Sequence, residues 1–341
     1  MNYKTQKFIS TCKLKIFNNP EVFIEGWYWV MPSNNLRIGE VKPVTILGKE
    51  LTIYRGENKK VTIADAYCPH MGAHLSEGKI EGNTLRCFFH HWKFDAEGNC
   101  VSIPCLDKPL PVKLKIWPTA EKYGLIWIWT GKTPQQSIPF TPELEQKKYD
   151  IAFGPRIIVN CHPNVVMINA IDLQHFNTVH KLATEIIFKN QELNQNAILF
   201  NNTKYDGRAS FYLKLIRPFY KGTIKYSICY WYGSTGIATI STSFFRLHLM
   251  FALRLLQEGK TEVQPLLLMN RRKGIISLIF SRAILWLTHI FGIHFIKGDT
   301  KIFQTIQFNF KTPLKIDRPI IQLIDHVERQ KPLQWGTWED I

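Results

Sequence analysis

Two short segments of this chain each carry one cysteine and one histidine in close succession. The first reads Cys68-Pro-His70 and the second reads Cys87-Phe-Phe-His90, with sixteen residues between them. Two thiolates and two imidazoles form a ligand set for a tetrahedral zinc ion. The same ligands suit a [2Fe–2S] cluster in which two cysteines hold one iron and two histidines hold the other. An ordinary β-domain with scattered buried cysteines and histidines is the third interpretation.

A second group of candidate metal ligands runs from Asn169 to His180. Asp172 and His175 are three residues apart, so they share one face of a helix. His180 lies five residues further on and off that face, so the helix must bend or end before the two imidazoles converge. With one carboxylate from elsewhere, two imidazoles form the facial triad of non-haem Fe(II) sites, which leaves positions open for dioxygen and substrate. Taken alone, the motif favours two satisfied core histidines.

The residues around the first group extend its pattern well beyond four ligands. Cys68-Pro-His-Met-Gly-Ala-His-Leu and Cys87-Phe-Phe-His-His-Trp-Lys-Phe resemble the Rieske domain of the Rieske non-haem iron oxygenases. The similarity covers roughly residues 26–131 and continues through Phe94-Asp-Ala-Glu-Gly98, Ile103-Pro104 and Tyr123-Gly-Leu-Ile-Trp127. Neither cluster loop contains the extra cysteine of respiratory-chain Rieske proteins, which favours the oxygenase or ferredoxin branch.

The resemblance implies that Cys68, His70, Cys87 and His90 hold a Rieske [2Fe–2S] cluster. Family members usually carry Arg after the first histidine and Gly after the second, whereas this chain has Met71 and His91. Because His91 follows His90 directly, the register of the fourth ligand has to be chosen, and the family spacing selects His90. His91 and His74 are then expected to lie outside the ligand set.

The second group of ligands falls where this family places its mononuclear iron. The resemblance implies that His175 and His180 bind the iron, that Asp172 is the bridging carboxylate that couples the two centres, and that Asn169 lies near the iron. The third family ligand is an aspartate more than a hundred residues downstream with an aliphatic residue three positions later. Asp299-Thr-Lys-Ile302 matches that pattern. The competing carboxylates are Glu258, Glu262, Asp317 and Asp325.

Short strand patterns fill the first part of the chain. Val44-Thr-Ile-Leu47, Leu51-Thr-Ile-Tyr54 and Val61-Thr-Ile-Ala64 are separated by turns that contain glycine, which is typical of antiparallel strands. No long helical period interrupts this pattern before about residue 140. We therefore predict an all-β Rieske [2Fe–2S] domain over residues 1–140, with its core at 26–131.

The remaining residues, 141–341, mix helical and strand patterns. They predict an α+β catalytic domain for the mononuclear iron, with an antiparallel sheet and packed helices in a helix-grip-like arrangement. Three prolines within residues 131–142 predict a linker between the two domains. We expect helical structure near 163–182 and strands around 209–216, 223–232 and 302–310.

Charge and cysteine usage constrain the partners and the compartment. The 341 residues include 43 Lys and Arg against 27 Asp and Glu, a formal net charge of +16. This surface favours an acidic partner protein, an anionic membrane or an acidic ligand, and no nucleic-acid motif accompanies it. An odd number of cysteines in a long chain argues against a disulfide framework. Because residues 1–9 lack the apolar core of a signal peptide, we predict a cytoplasmic protein.

An apolar stretch, residues 274–296, precedes Asp299. Its length approaches the ~20 residues of a membrane span, but Arg282 would place a charge near the centre of the bilayer, where it is costly. We expect a helix that contributes to the core and forms one wall of a hydrophobic substrate pocket. A helix that lies on the membrane surface is the alternative.

The whole chain resembles the catalytic α-subunit of a Rieske non-haem iron oxygenase, in the branch of aromatic-ring-hydroxylating dioxygenases, pheophorbide a oxygenase and steroid hydroxylases. The resemblance implies O2 activation at Fe(II) and hydroxylation, demethylation or desaturation of a lipophilic small molecule. Electrons would come from NAD(P)H through a separate reductase or ferredoxin, because the chain has no G-x-G-x-x-G nucleotide fingerprint. The family also implies a head-to-tail homotrimer, in which the Rieske centre of one chain approaches the iron of the next.

Two other function classes stay open on the sequence. A non-enzymatic Rieske electron-transfer protein would contain one iron centre and show no oxygen uptake. A zinc-stabilised binding module would be colourless.

Overall fold

A computed structural model describes residues 15–144, 148–180, 184–207, 225–241, 246–256, 259–271, 282, 286 and 298–333. The chain divides into two compact units. One contains residues 25–138, and the other contains residues 139–332 together with the segment before residue 25. The boundary lies within the proline-rich segment 131–142.

The first unit is built from three small antiparallel sheets. Their strand orders are β1-β11-β10, β2-β3-β4-β9 and β5-β6-β7-β8. The strands are β1 (Trp27–Pro32), β2 (Val41–Ile46), β3 (Lys49–Arg55), β4 (Val61–Asp65), β5 (Lys79–Glu81), β6 (Thr84–Arg86), β7 (Lys93–Phe94), β8 (Cys100–Ser102), β9 (Ile116–Trp117), β10 (Thr119–Lys122) and β11 (Leu125–Trp129). An all-β first domain is therefore confirmed.

The core of the first unit surrounds the two predicted ligand loops. Leu75, Leu85 and Phe94 are fully buried and pack in one hydrophobic cluster with Cys68 and Cys87. Burial of each large apolar side chain contributes about 1.5–3 kcal/mol to folding. The base of each loop is therefore anchored by the core of the unit.

The second unit contains one eight-stranded antiparallel sheet. Its order is β12-β19-β18-β17-β16-β15-β14, and β13 also pairs with β19. The strands are β12 (Tyr149–Phe153), β13 (Ile157–Val159), β14 (Thr184–Asn194), β15 (Ala197–Gly207), β16 (Lys225–Trp231), β17 (Thr235–Ser241), β18 (Arg246–Leu255) and β19 (Thr261–Asn270). The helices described are α1 (Pro163–Ile168), α2 (Leu173–Thr178), α3 (298–305) and α4 (Arg318–Glu328). This confirms the predicted α+β class.

Two tyrosines of β16 tie α1 and α2 to the sheet. Tyr226 and Tyr230 are four residues apart, so both side chains leave the same face of the strand. The Tyr230 hydroxyl donates to the carbonyl of Met167 at 2.6 Å, and the Tyr226 hydroxyl donates to the carbonyl of Ala170 at 2.9 Å. Met167 lies in the last turn of α1 and Ala170 in the link to α2, so the two hydroxyls hold this stretch of the chain against the sheet.

The local predictions had mixed outcomes. The helical segment near 163–182 is confirmed as α1 and α2, and the strand near 223–232 is confirmed as β16. The strand predicted over 302–310 is wrong, because 298–305 is helical and 306–310 is irregular. Within the irregular part, the rings of Phe308 and Phe310 stack on each other with centroids 6.1 Å apart.

Two predicted segments fall outside the described residues. These are the strand at 209–216 and nearly all of the apolar stretch 274–296, of which only Arg282 and Trp286 are described. Among the residues that the structure does describe, no helix has the length and apolarity needed to cross a membrane.

Candidate metal centres

Two loops of the first unit hold the first group of predicted ligands. Cys68 lies in the loop after β4 and Cys87 directly follows β6. Each cysteine is fixed by the backbone of its own loop: the N–H of Cys68 donates to the carbonyl of Ala73, and the N–H of Cys87 donates to the carbonyl of Trp92, both at 2.9 Å. Each loop is therefore closed by a backbone hydrogen bond from its cysteine, and each presents one thiol.

The loops bring the four side chains together with the thiols inside and the imidazoles outside. Cys68 and Cys87 are buried, whereas His70 and His90 are exposed. The ring centroids of the two histidines are 4.7 Å apart. Burial raises the pKa of the Cys68 thiol to about 11, and the neighbouring Cys87 adds to this effect. This donor set fits a cluster with its cysteine-bound iron inward and its histidine-bound iron outward.

Trp92 and His91 are neighbours of the proposed cluster ligands. The indole of Trp92 stacks on the His70 ring with centroids 4.4 Å apart and planes 8° from parallel. His91 is exposed with a backbone φ of 58°. His90, and not His91, makes the ring contact with His70 within the described chain. That contact supports the register chosen from the sequence.

The second group of ligands is assembled from two helices of the second unit. Asp172 caps α2: its Oδ1 accepts the N–H of Gln174 at 2.9 Å and the N–H of His175 at 3.1 Å. An aspartate at this position satisfies donors that a helix leaves unbonded at its start. His175 lies on α2, His180 follows the end of that helix, and Asp299 lies on α3.

Three potential ligand atoms form a nearly equilateral triangle. Nε2 of His175 and Nε2 of His180 are 2.9 Å apart, and each lies 3.0 Å from Oδ1 of Asp299. Both imidazoles are 6% exposed and the carboxylate is 18% exposed. Ligands at right angles on a metal with bonds of about 2.1 Å are about 3.0 Å apart, as a facial triad requires.

The hydrogen bonding of the triangle also fits a metal. Oδ1 of Asp299 is buried, and within the described residues it has no hydrogen bond of acceptable geometry despite its two close neighbours. Burial alone would raise the pKa of Asp299, but the adjacent imidazoles reverse that effect and hold the pKa below its usual value. A cation among the three atoms would satisfy this carboxylate oxygen and both ring nitrogens.

The competing carboxylates have other partners. Glu262 pairs with Arg156 and Arg254, and Asp317 accepts hydrogen bonds from Leu314 and Gln174. Asp325 lies on α4, where burial raises its pKa. Glu258 is outside the described residues. In the part of the chain that the structure describes, Asp299 is the carboxylate that joins the two histidines.

Asn169 ends α1 and does not join the triangle. Its Nδ2 is buried and lacks a hydrogen-bond partner among the described residues.

Sequence reasoning missed Gln174, which lies between Asp172 and His175 and bonds to Asp317. Its partner is 143 residues away, so no local spacing could have revealed it.

The comparison with known families bears on the first unit. Residues 26–119 match the Rieske [2Fe-2S] domain family. This part of the chain is a Rieske domain. The match supports the predicted [2Fe–2S] cluster in this part of the chain.

Relatives of this chain include steroid-modifying enzymes. Cholesterol 7-desaturase nvd 1 of Ciona intestinalis is 39% identical over 166 residues, which are 47% of this chain and 35% of that protein. The 3-ketosteroid-9-alpha-monooxygenase oxygenase component of Rhodococcus rhodochrous is 30% identical over 179 residues, 50% of this chain and 47% of that protein. The chain thus spans less than half the length of these curated relatives.

Solved structures match over nearly the whole chain. Dicamba monooxygenase bound to dicamba has a TM-score of 0.64 at 19% identity and covers 89% of this chain and 96% of that one. NdmB of Pseudomonas putida CBB5 has a TM-score of 0.68 at 17% identity, over 89% and 90% of the two chains. The chain therefore has the two-part fold of the Rieske oxygenases, with the Rieske domain followed by the antiparallel sheet.

Proposed function

We propose that this chain is the oxygenase component of a Rieske non-haem iron system. Its [2Fe–2S] cluster would be held by Cys68, His70, Cys87 and His90, and its mononuclear Fe(II) by His175, His180 and Asp299. The observation that carries the proposal is the triangle of two imidazoles and one carboxylate with sides of 2.9–3.0 Å in a chain that also contains a Rieske domain. When bound, Fe(II) with open positions supplies the reductive activation of O2.

The side chains of this site have separable tasks. The imidazoles of His175 and His180 bind through Nε2 and are shielded from water, and the ionised Asp299 neutralises part of the metal charge. Asp172 fixes the start of α2 and thus the backbone of His175. We propose that the same carboxylate links the two centres, and that Asn169 lies close enough to influence the open positions of the metal.

A lipophilic, steroid-like molecule is the proposed substrate. The support is the activity of two groups of relatives, a cholesterol 7-desaturase and a 3-ketosteroid-9-alpha-monooxygenase. Both act on a rigid apolar ring system. Hydroxylation or desaturation are the reactions that these names suggest, and demethylation stays within the same chemistry.

Electrons are proposed to reach the iron from NAD(P)H through a reductase or ferredoxin and then through the cluster. The exposed imidazoles of His70 and His90 are surrounded by exposed apolar side chains: Met71 is 65% exposed, Phe88 50% and Phe89 52%. Such a surface is suited to docking a protein. We propose that it meets the α2 region of a second copy in a homotrimer, which would bring Asp172 of that copy near the cluster.

Single-turnover oxidation tests this function. The protein, loaded with both metals and chemically reduced, should be mixed with O2 in the presence and absence of a panel of sterols and ketosteroids. We expect one substrate to accelerate cluster oxidation and to yield a product that has gained one oxygen or lost two hydrogens. The Asp299→Asn variant should give no product. If every steroid leaves oxygen uptake and cluster oxidation unchanged in the fully loaded protein, the non-enzymatic electron-transfer alternative replaces this function.

A further inference from the structure

Asp317 is a buried carboxylate, 8% exposed, just before α4. It closes a tight turn with Leu314: Oδ2 accepts the N–H of Leu314 at 2.8 Å, and the N–H of Asp317 donates to the carbonyl of Leu314 at 3.0 Å. Buried Pro313 and Pro319 flank the turn, and each proline fixes one backbone φ. The carboxylate is therefore held in place by its own segment.

The other oxygen of Asp317 binds the helix that carries His175. Oδ1 accepts a hydrogen bond from Nε2 of Gln174 at 3.0 Å. Gln174 directly precedes His175, and its backbone N–H donates to Asp172. Two different carboxylates thus fix Gln174, one through its main chain and one through its side chain.

The α2 helix needs such an external bond because it is short. It contains six residues, whereas isolated helices shorter than about 12–15 residues are marginal in water. Side-chain tips lie about 5–6 Å from a helix axis, so a rotation of about 10° moves a tip by about 1 Å. A ligand constellation tolerates displacements of only about 0.5 Å. A small rotation of α2 would therefore spoil the 3.0 Å approach of His175 to Asp299.

We propose that Asp317 and Gln174 are positioning residues for the mononuclear metal site. Their hydrogen bond sets the rotation of α2 about its axis, and through it the position of Nε2 of His175 relative to Asp299. The inference rests on the proposed function, since it takes His175 and Asp299 as metal ligands. Asp317 and Gln174 act through the helix and are not themselves ligands.

A donor–acceptor exchange tests this inference. Asp317→Asn leaves one acceptor oxygen where two donors approach, and Gln174→Glu sets two carboxylates against each other. The double substitution restores one bond with its polarity reversed, because the new amide can donate to the new carboxylate while its oxygen still accepts from Leu314. Asp150→Asn is the matched control, since it removes the negative charge from a 2.8 Å ion pair with Arg271 in the same unit and does not touch α2.

The readouts are Co(II) affinity and the EPR line shape of bound Co(II), measured on the full chain with its cluster oxidised and its mononuclear site emptied. We expect each single substitution to raise the Co(II) dissociation constant about tenfold and to change the line shape, as changes beside metal ligands do. The double substitution should return both towards the wild-type values, and the control should leave both unchanged. Thermal melting of every variant accompanies these measurements.

Three results would overturn the inference. Single variants that melt lower but bind Co(II) with wild-type affinity and line shape would show a purely structural bond. A double variant whose affinity loss equals the combined losses of the single variants would show that the bond itself is irrelevant. A wild-type chain that binds no Co(II) beside its cluster would reject the proposed function and this inference together, whereas the first two results leave the proposed function intact.

Discussion

The two proposed metal sites of this chain are built in opposite ways. The Rieske loops are sixteen residues apart in sequence, each is closed by bonds within the loop, and both rest on one small core. The mononuclear site combines two helices whose ligands are more than a hundred residues apart. The first site is therefore a local structure, whereas the second depends on how α2 and α3 are held against the rest of their unit.

The two sites also differ in the solvent exposure of their histidines. His70 and His90 are open to solvent, but His175 and His180 are 6% exposed. An exposed imidazole edge suits electron exchange with a partner, and a shielded metal excludes water from reactive chemistry. Because the two sites are built from separate parts of the chain, we expect that a substitution at one site leaves metal binding at the other unchanged.

Loss of one cluster thiolate should have the largest effect. Cys87→Ser should remove the visible colour and the Rieske EPR signal, because the two irons cannot be held by one thiolate and two imidazoles. Iron and sulfide analysis with EPR measures the result. Cys100→Ser is the matched control, since Cys100 is buried in the same hydrophobic cluster but lies outside the ligand set. Full cluster occupancy in the Cys87 variant would refute the ligand assignment.

The two adjacent histidines should differ sharply. His90→Ala should lose the cluster, and His91→Ala should keep it, because His90 makes the ring contact with His70. The measurement is again the Rieske EPR signal per chain. The reverse pattern would shift the fourth ligand by one residue.

At the mononuclear site, Asp299→Asn should remove one iron per chain and leave the Rieske spectrum unchanged. The amide cannot supply the charge that the triad requires, and loss of a ligand charge weakens metal binding strongly. Metal analysis on the same sample as the EPR spectrum checks both sites. Asp325→Asn on α4 serves as the control. Unchanged iron content and turnover would move the third ligand to another carboxylate.

Two substitutions of Asp172 distinguish its role as a helix cap from its proposed role in coupling the two centres. Asn caps a helix as well as Asp does, so Asp172→Asn should keep both metals, whereas Asp172→Ala should lower stability by about 1 kcal/mol. If the charge of Asp172 couples the centres, the Asn variant should still slow oxidation of the reduced cluster by O2 in stopped-flow experiments. Wild-type oxidation rates in that variant would leave Asp172 with its capping role alone. Sedimentation of the wild type tests the trimer, and an active monomer would refute the inter-chain route.

Acid should selectively destabilise the second unit, with no direct effect on either group of proposed metal ligands. Burial lowers the pKa of His162 and of His248 to about 4. Because the unfolded histidines take up protons near pH 6.5 and the folded ones do not, stability is complete above pH 6.5 and falls between pH 6.5 and 4. For His162 the loss amounts to about 3 kcal/mol.

Denaturant unfolding at several pH values measures this loss. His162→Asn should flatten the dependence while retaining the cap of α1, which His162 provides by accepting the N–H of Asn164. A variant with the full wild-type pH dependence would contradict this account of acid sensitivity.

The sequence was most informative where ligands and elements are close together in the chain. The strand-rich first unit and the end of α2 before His180 could be anticipated from spacing. The cluster loops could be anticipated from spacing together with the family resemblance. Asp299 could be selected only through a family pattern. The residues that follow it, 302–310, were wrongly predicted as a strand, because 298–305 form a helix and 306–310 are irregular. The hydrogen bond from Gln174 to Asp317 depends on tertiary structure alone, so no sequence pattern predicts it.

Iron and sulfide analysis of the purified wild type shows whether one chain holds two different iron centres. We expect about three iron atoms and two acid-labile sulfides per chain, one cluster plus one mononuclear iron. Two irons with two sulfides in a protein supplied with excess Fe(II) would contradict it and leave a Rieske electron carrier. Zinc in place of iron and sulfide would contradict both assignments.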